Sequence, residues 1–204
     1  MFLTDFQYFG TIGFIQTLLK QTQINFDAQA PFTKMSFKNR MVILASQGPL
    51  NLTIPIIGGR DQKTPINEIM MDPSTPWKEQ HLKAIRTCYK RSPYFEFYEP
   101  SLDQLYNNQE EKLVDFLGAC QRWIKEQLKA DWEIIPNNNP TLQEKKEIVK
   151  YFSSWLPKNY GQCDSLPKYH QVFEDKVGFI SNVSILDMLF CCGGKEVHQL
   201  LKPI

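Results

Sequence analysis

The first residues of the chain form an apolar run, a break that contains glycine, and a second apolar run. Residues Phe2–Phe9 are rich in aromatic side chains and predict a buried strand, which Gly10–Gly13 interrupts. Phe14–Lys20 then predicts a short helix, and Ile24–Asp27 predicts a second strand. This order of strand, loop, helix and strand is typical of an α/β unit.

The end of the first predicted strand is a candidate binding site. Ligands of parallel α/β sheets gather at the C-terminal ends of the strands. Gln7 and Tyr8 stand at such an end, shortly before Gly10. We therefore expect both side chains to contact a substrate.

A β-hairpin is predicted in the second quarter of the chain. Met41–Ala45 and Leu50–Ile57 are apolar runs that flank the turn residues Ser46–Pro49. From Leu50 onwards apolar residues alternate with other residues, so one face of the second strand is expected to be buried. Pro55 cannot donate to a strand ladder, so we expect it at an edge or a strand end.

Two segments carry the period of an amphipathic helix. Glu110–Lys129 has the i, i+3, i+4, i+7 stripe, and a helix from Thr75-Pro76 to about Lys90 places Trp77 and His81 on its apolar face. The shorter predicted elements are strands at Ile66–Met71 and Trp132–Ile135, a turn at Tyr94–Tyr98, and helices at Leu142–Trp155, Ser184–Phe190 and Lys195–Leu201.

Together these elements predict an α/β fold in a single domain of residues 1–204. It combines a mixed β-sheet, an N-terminal strand-loop-helix unit, a β-hairpin and several packed helices.

Charge and cysteine content narrow the class of protein. The 204 residues contain 23 Lys and Arg against 22 Asp and Glu, and the net charge of +1 argues against nucleic-acid binding and against a polybasic membrane surface. Five cysteines without a C-x-x-C pair favour reduced, mostly buried thiols and argue against a zinc site. No signal peptide and no apolar run of membrane-spanning length are evident. We expect a cytoplasmic protein with no bound metal and no membrane insertion.

A basic tract precedes the hairpin. Lys34, Lys38 and Arg40 lie close together beside the amide of Asn39. Arginine binds carboxylate or phosphate through two parallel hydrogen bonds, and lysine adds a point charge, so the tract is a candidate site for an anionic group. The alternative is a solvated, mildly basic loop.

His81 is a candidate general acid or base. It lies one turn after Trp77 on the apolar face of the predicted helix, and imidazole titrates near neutral pH. The alternative is a core histidine that is bonded to one carbonyl group.

Two pairs of residues in the C-terminal part are also candidates. Tyr169 and Gln171 lie in an irregular segment, and loops carry function more often than helices do. Ser184 and Asp187 precede an apolar run and predict a capping box, in which each bonds the backbone N–H of the other. No P-loop, G-x-G-x-x-G or G-x-S-x-G motif occurs, so the residues identify no cofactor.

Several segments, read in order, resemble the WbqC-like protein family. They are Phe32–Arg40, Leu52–Pro55, Trp77 with His81, Tyr89–Phe95, Tyr169 with Gln171 and Phe173, and Ser184–Phe190. The resemblance implies a cytosolic protein encoded in bacterial surface-polysaccharide (O-antigen) gene clusters, with a role in moving glycine or a similar acyl group onto a sugar. The usual Gln-Pro opening of the family is Asp5-Phe6 in this chain, and a usual histidine is Leu166.

The main hypothesis is a transferase that acts on a small anionic substrate, either a nucleotide-sugar or an acyl donor. Lys34 and Arg40 would hold the anionic group, Asn39 would orient it, and His81 would be the general base. Tyr169 and Gln171 would line the acceptor as further catalytic residues, and Trp77 would contact the substrate. The hypothesis requires Arg40 and His81 to face one cavity. The alternative is a non-catalytic binding or assembly module of the same pathway.

Overall fold

The computed structural model describes residues 2–33, 35–58, 63–135, 149–151, 157, 160–161 and 165–202, and the fold is given for these. The first α/β unit lies where the hydrophobic pattern predicts it. Strand β1 spans Phe2–Thr4, helix α1 spans Ile12–Leu18 and strand β2 spans Gln23–Phe26. β1 is shorter than the predicted apolar run, and residues 5–11 lead from it into α1.

A parallel sheet of four strands combines the two N-terminal strands with two strands from later in the chain. β5 (Glu133–Ile135) pairs with β2, and β6 (Val149–Tyr151) pairs with β1, so the strand order is β5-β2-β1-β6. The chain moves outward from β1 to β2 and β5, and then returns to the other side of β1. In doubly wound folds such a reversal marks the point at which ligands bind, at the carboxyl ends of the strands.

The predicted hairpin is present as a separate antiparallel pair. β3 (Arg40–Ala45) and β4 (Gly48–Thr53) are joined by a two-residue turn, and their register pairs Arg40 with Thr53 and Ala45 with Gly48. Leu52 is buried as the alternation predicts, but Leu50 is 36% exposed. The alternating pattern therefore overestimates how much of β4 faces the core.

Three helices pack in the middle of the chain. α2 (Trp77–Tyr89) and α4 (Leu113–Leu128) confirm the two amphipathic predictions. α3 (Phe95–Tyr106) replaces the turn predicted at Tyr94–Tyr98, which is wrong. The helix has a buried stripe at intervals of three or four residues, made of Phe95, Tyr98, Leu102 and Tyr106. Pro100 inside it argues against a helix at the level of sequence.

The C-terminal part contains three short helices, α5 (Glu174–Val177), α6 (Ile185–Cys192) and α7 (Gly194–Leu201). α6 and α7 were predicted, but the capping box was wrong. The Ser184 hydroxyl accepts from the N–H of Leu186 at 3.4 Å, and the carboxylate of Asp187 is used by other side chains. The reason is burial, because Asp187 has no exposed surface and faces the core.

Two further element predictions are corrected. Ile66–Met71 is not a strand, because Ile66–Glu68 forms a 3₁₀ turn and only isolated bridges follow at Met70 and Met71. The helix predicted at Leu142–Trp155 is wrong at Val149–Tyr151, where β6 lies, and its other residues lie outside the described residues.

One hydrophobic core connects the sheet, the hairpin and the helices. Its largest fully buried side chains include Trp132, Tyr8, Tyr89 and Tyr106. The fold is a mixed α/β fold, as predicted. Among the helices in the described part of the chain, none is both long and apolar enough to cross a membrane.

Candidate functional site

The segment that follows β1 is polar and nevertheless buried. Asp5 is 7% exposed, Gln7 1% and Tyr8 0%. Burial of polar groups costs free energy unless they are hydrogen-bonded, so the partners of these three side chains decide what the segment does. The three side chains contact different parts of the protein.

Asp5 forms a buried ion pair with Lys38. The Lys38 Nζ lies 3.4 Å from Asp5 Oδ2 and donates to the carbonyl oxygen of Pro31 at 2.7 Å. Burial raises the pKa of Asp5, and the ammonium of Lys38 opposes that rise. The other carboxylate oxygen, Oδ1, has no hydrogen-bond partner.

Buried polar atoms without a partner are concentrated around this segment. The described residues contain seven such side-chain atoms, and five of them belong to Asp5, Gln7, Asn25 and Gln121. Asn25 lies beside Leu3 in the neighbouring strand and lacks partners for both its amide oxygen and its amide nitrogen. Gln121 of α4 donates to the carbonyl oxygen of Gln7 at 2.7 Å. We call these four residues and Lys38 the carboxyl-edge cluster.

Tyr8 connects this cluster to His81. The Tyr8 hydroxyl lies 2.9 Å from His81 Nδ1 and in close hydrogen-bond contact with the Tyr106 hydroxyl. His81 also bonds the backbone of Thr53, a bond that favours the protonated ring, so its other nitrogen donates to a carbonyl oxygen. Nδ1 then accepts from Tyr8, and Tyr8 accepts from Tyr106. The Thr53 carbonyl group thus fixes the donor and acceptor roles in the whole series of hydrogen bonds from Tyr106 through Tyr8 to His81.

The environment of His81 keeps it neutral. It is 5% exposed, and burial lowers its pKa to about 4, although the bond to Thr53 opposes this. Trp77 packs edge-on against the ring with 5.2 Å between centroids. Both ring nitrogens are engaged within the protein, so this arrangement matches the core histidine considered as the alternative.

A cavity of about 590 Å³ lies next to this series, between the start of α2 and the loop that joins α3 to α4. We call it the Trp77 cavity. Its lining includes Trp77, Lys78, Glu79, Tyr106, Asn108, Glu110 and Glu111. Because Tyr106 lines the cavity and bonds Tyr8, the cavity is connected to the carboxyl-edge cluster through two tyrosines.

Tyr169 and Gln171 lie in a different group, around the buried carboxylate of Asp187. Tyr89 donates to its Oδ1 at 2.7 Å, and Tyr169 and Gln171 donate to its Oδ2 at 2.5 and 3.0 Å. Burial raises the pKa of Asp187, and these three donors oppose the rise. Every carboxylate oxygen here has a partner. The predicted catalytic role of Tyr169 and Gln171 stays a prediction.

The described residues of the basic tract make separate contacts and do not converge on one group. Asn39 is bonded to Ile54 through side chain and backbone, at 2.8 Å each. The Arg40 guanidinium lies 3.8 Å from the exposed Met35 sulfur, and Lys34 lies outside the described residues. The lining of the Trp77 cavity contains neither Arg40 nor His81.

The N-terminus of α1, where doubly wound folds often bind phosphate, is already occupied by protein acceptors. The N–H groups of Ile12, Gly13 and Phe14 donate to the Val183 carbonyl oxygen, Asn182 Oδ1 and Thr11 Oγ1. An anion at this helix end would have to displace all three. The carboxyl-edge cluster, and not the helix end, is therefore the candidate polar site.

The structure brings together four of the predicted site residues, Gln7, Tyr8, Trp77 and His81. Sequence reasoning missed Asp5, Asn25, Tyr106 and Asp187 as members of polar clusters. For Asn25 a signal exists, because an amide stands between apolar residues in a strand with Ile24 and Phe26. The other three offer no comparable local signal.

Comparison with known proteins gives one match. The sequence model of the WbqC-like protein family matches residues 7–158. No curated protein and no solved structure matches the chain. The matched span includes Gln7, Tyr8, Trp77 and His81, and it ends before Tyr169 and Gln171.

Proposed function

Because the chain belongs to the WbqC-like protein family, we propose that it is a transferase of bacterial surface-polysaccharide biosynthesis, moving an acyl or aminoacyl group from an activated donor onto a sugar. The observation that carries the proposal is the carboxyl-edge cluster. Buried donors and acceptors that lack partners each cost about 1–3 kcal/mol. A polar ligand supplies such partners, and the cluster lies at the reversal of strand order where ligands of doubly wound sheets bind.

The chemistry of the cluster suits an activated acyl group. Gln7 Nε2 and the amide nitrogen of Asn25 are donors without partners, and Asp5 Oδ1 is an acceptor without one. In the transfer, a hydroxyl oxygen or a neutral amine nitrogen of the sugar attacks the acyl carbon, the bond from that carbon to the leaving group breaks with its electron pair on the leaving group, and the proton of the attacking atom passes to the leaving group or to water. Donors aimed at the acyl oxygen stabilise the charge that develops on it.

His81 acts in this proposal as a positioning residue. Both its nitrogens are engaged, and it contacts Tyr8 and the Thr53 backbone. It holds Tyr8, and through Tyr8 it holds Tyr106 in the wall of the Trp77 cavity. Direct proton transfer from substrate to His81 would require one of its two bonds to open.

The second candidate is a binding or assembly module of the same pathway that performs no turnover. The depressed pKa and full hydrogen bonding of His81 favour it, because a base for the reaction is then missing at that position. Both candidates use the carboxyl-edge cluster to hold a ligand. They differ in whether a product forms.

Mass spectrometry of reaction mixtures tests the proposal. The protein is incubated with glucosamine and a panel of acyl thioesters and aminoacyl donors, and the sugar is examined for the mass of one added acyl group. We expect product with wild type, a loss of at least tenfold with Gln7→Leu, and no change with Asp175→Asn, a control on α5.

Thermal stabilisation by the same compounds is measured in parallel. Stabilisation by a donor without product would favour the binding module. Neither stabilisation nor product with any compound would contradict both candidates.

A further inference from the structure

The Trp77 cavity has an electrostatic character opposite to that of an anion site. Three carboxylates, those of Glu79, Glu110 and Glu111, belong to its lining, and Lys78 is the one cation among the lining residues. Three negative charges and one positive charge leave a formal charge of −2. A diphosphate or a phosphorylated sugar would be repelled from this cavity.

The Lys78 ammonium is also already committed to the protein. It donates to the carbonyl oxygen of Asn108 at 2.5 Å and lies 5.8 Å from the Trp77 ring centroid and 5.7 Å from that of Phe116. Cations gain energy at these distances from aromatic faces. These contacts fix the position of the ammonium and leave its charge unchanged, so the formal charge of the lining remains −2.

The rest of the lining suits a saccharide. Ile57 lines the cavity and is 54% exposed, so it supplies apolar surface on which the C–H groups of a sugar ring can pack, whereas Trp77 and Tyr106 are 5% and 1% exposed and contribute little. Asn108 and its neighbours Asn107 and Gln109 supply amides that can bond sugar hydroxyls. A volume of about 590 Å³ is within the range of small-molecule pockets and accommodates a sugar ring.

We propose that the Trp77 cavity binds the acceptor, and that this acceptor is an amino sugar that is held through its protonated amine, so that a hydroxyl oxygen of the sugar is the attacking atom. The inference rests on the proposed function, since it assigns one of the two substrates of that transfer. The acyl donor is assigned to the carboxyl-edge cluster, where the charges of Asp5 and Lys38 compensate each other, and the cationic acceptor to the cavity. The contact between Tyr8 and Tyr106 places these two sites next to each other.

The test compares four probes that share one ring and differ in charge: glucosamine, glucose, N-acetylglucosamine and glucose 1-phosphate. Binding is followed by NMR titration of the Trp77 indole signal, at low ionic strength and a pH that keeps the amine protonated. We expect glucosamine to bind at least tenfold more tightly than glucose, and glucose 1-phosphate to bind more weakly than glucose. Added salt should reduce the preference for glucosamine.

Variants locate the effect. Glu110→Gln and Glu111→Gln should each weaken glucosamine binding about fivefold and leave glucose binding unchanged. Glu126→Gln, which removes an exposed carboxylate of α4 outside the cavity, is the matched control and should change neither. Unfolding curves of all three variants confirm that they fold.

The outcomes separate this inference from the proposed function. Equal binding of glucose and glucosamine, or tighter binding of glucose 1-phosphate, would overturn the amino-sugar assignment and leave sugar binding and the transferase proposal in place. If none of the four probes shifts the Trp77 signal while acyl transfer to a sugar is detected, the cavity is not the acceptor site. If neither occurs, both proposals fail.

Discussion

Asp187 and Asp5 are both buried carboxylates, and they differ in how completely the protein satisfies them. Asp187 is 0% exposed and receives hydrogen bonds from Tyr89, Tyr169 and Gln171 on its two oxygens. Asp5 is 7% exposed, pairs through one oxygen with Lys38 and has no partner for the other. Burial raises the pKa of both groups.

The difference separates a structural cluster from a candidate binding site. The Asp187 cluster ties α2, α6 and the segment around Tyr169 together, and nothing in its hydrogen bonding calls for a ligand. The carboxyl-edge cluster keeps polar atoms buried without partners, which folding alone does not favour. Sites that bind ligands are where a protein retains such a cost. The predictions below test this distinction.

The largest effect is expected at the Asp5–Lys38 pair. Lys38→Met leaves a buried, uncompensated carboxylate and should lower the free energy of unfolding by about 3–5 kcal/mol, measured by urea denaturation. The double variant Asp5→Leu with Lys38→Met removes both charges and should recover most of that loss. A loss below about 1 kcal/mol for Lys38→Met would mean that the pair is solvated.

Asp187→Asn tests the structural cluster. The substitution replaces one carboxylate oxygen by an NH₂ group, which cannot accept the hydrogen bonds that the surrounding side chains donate. We therefore expect a loss of about 2–3 kcal/mol in the free energy of unfolding. Asp175→Asn, at an exposed position on α5, is the control and should change little. If Asp187→Asn kept full stability but no longer bound the acyl donor, the assignment of this cluster as structural would be wrong.

The pH dependence of stability should also differ between wild type and Asp187→Asn. The pKa of Asp187 in the folded chain lies above the ordinary 3.8, because burial disfavours the charged form. Its carboxyl group therefore contributes stability that is fully present below about 3.8 and is lost as the pH rises through the raised folded-state pKa. Denaturation at a series of pH values should show the advantage of wild type over Asp187→Asn decreasing as the pH rises. If the stability advantage of wild type grew with pH, the pKa of Asp187 would be lowered in the folded protein and not raised.

The smallest effect is expected at an exposed ion pair, which sets the scale for the buried one. Arg86 of α2, which is 42% exposed, bonds Glu99 and Asp103 of α3 at 2.7 and 2.5 Å. Despite this geometry, Arg86→Met should cost only about 0.5 kcal/mol, because solvent screens the charges. A loss as large as that of Lys38→Met would show that burial does not control the strength of ion pairs in this protein.

The fold follows from the sequence where the periodic signal is strong. The stripes of α2 and α4 and the order of strand, loop, helix and strand at the N-terminus predict those elements. α3 was missed because Pro100 stands inside it and its aromatic residues suggested a turn. β6 was missed because its three residues are short and lie inside a pattern that favoured a helix.

The candidate site follows from the sequence only in part. Gln7 and Tyr8 were predicted from the rule that ligands bind at strand ends. Applying this rule needs only the order of the strand, loop and helix along the chain. The pairing of Asp5 with Lys38 joins residues 33 positions apart, and it depends on how the loop before β3 packs. The partners of Asp187 come from α2 and from the Tyr169 segment, so only the tertiary structure shows that its carboxylate is turned away from the helix cap.

The most direct test is the stability of Asn25→Leu without ligand. If both amide atoms of Asn25 lack partners in the free protein, an apolar side chain of similar shape should raise the free energy of unfolding by about 1–2 kcal/mol. The same variant should lose the thermal stabilisation that a donor gives to wild type. A variant that is less stable than wild type by a similar amount would contradict the account, because Asn25 would then be satisfied within the folded protein.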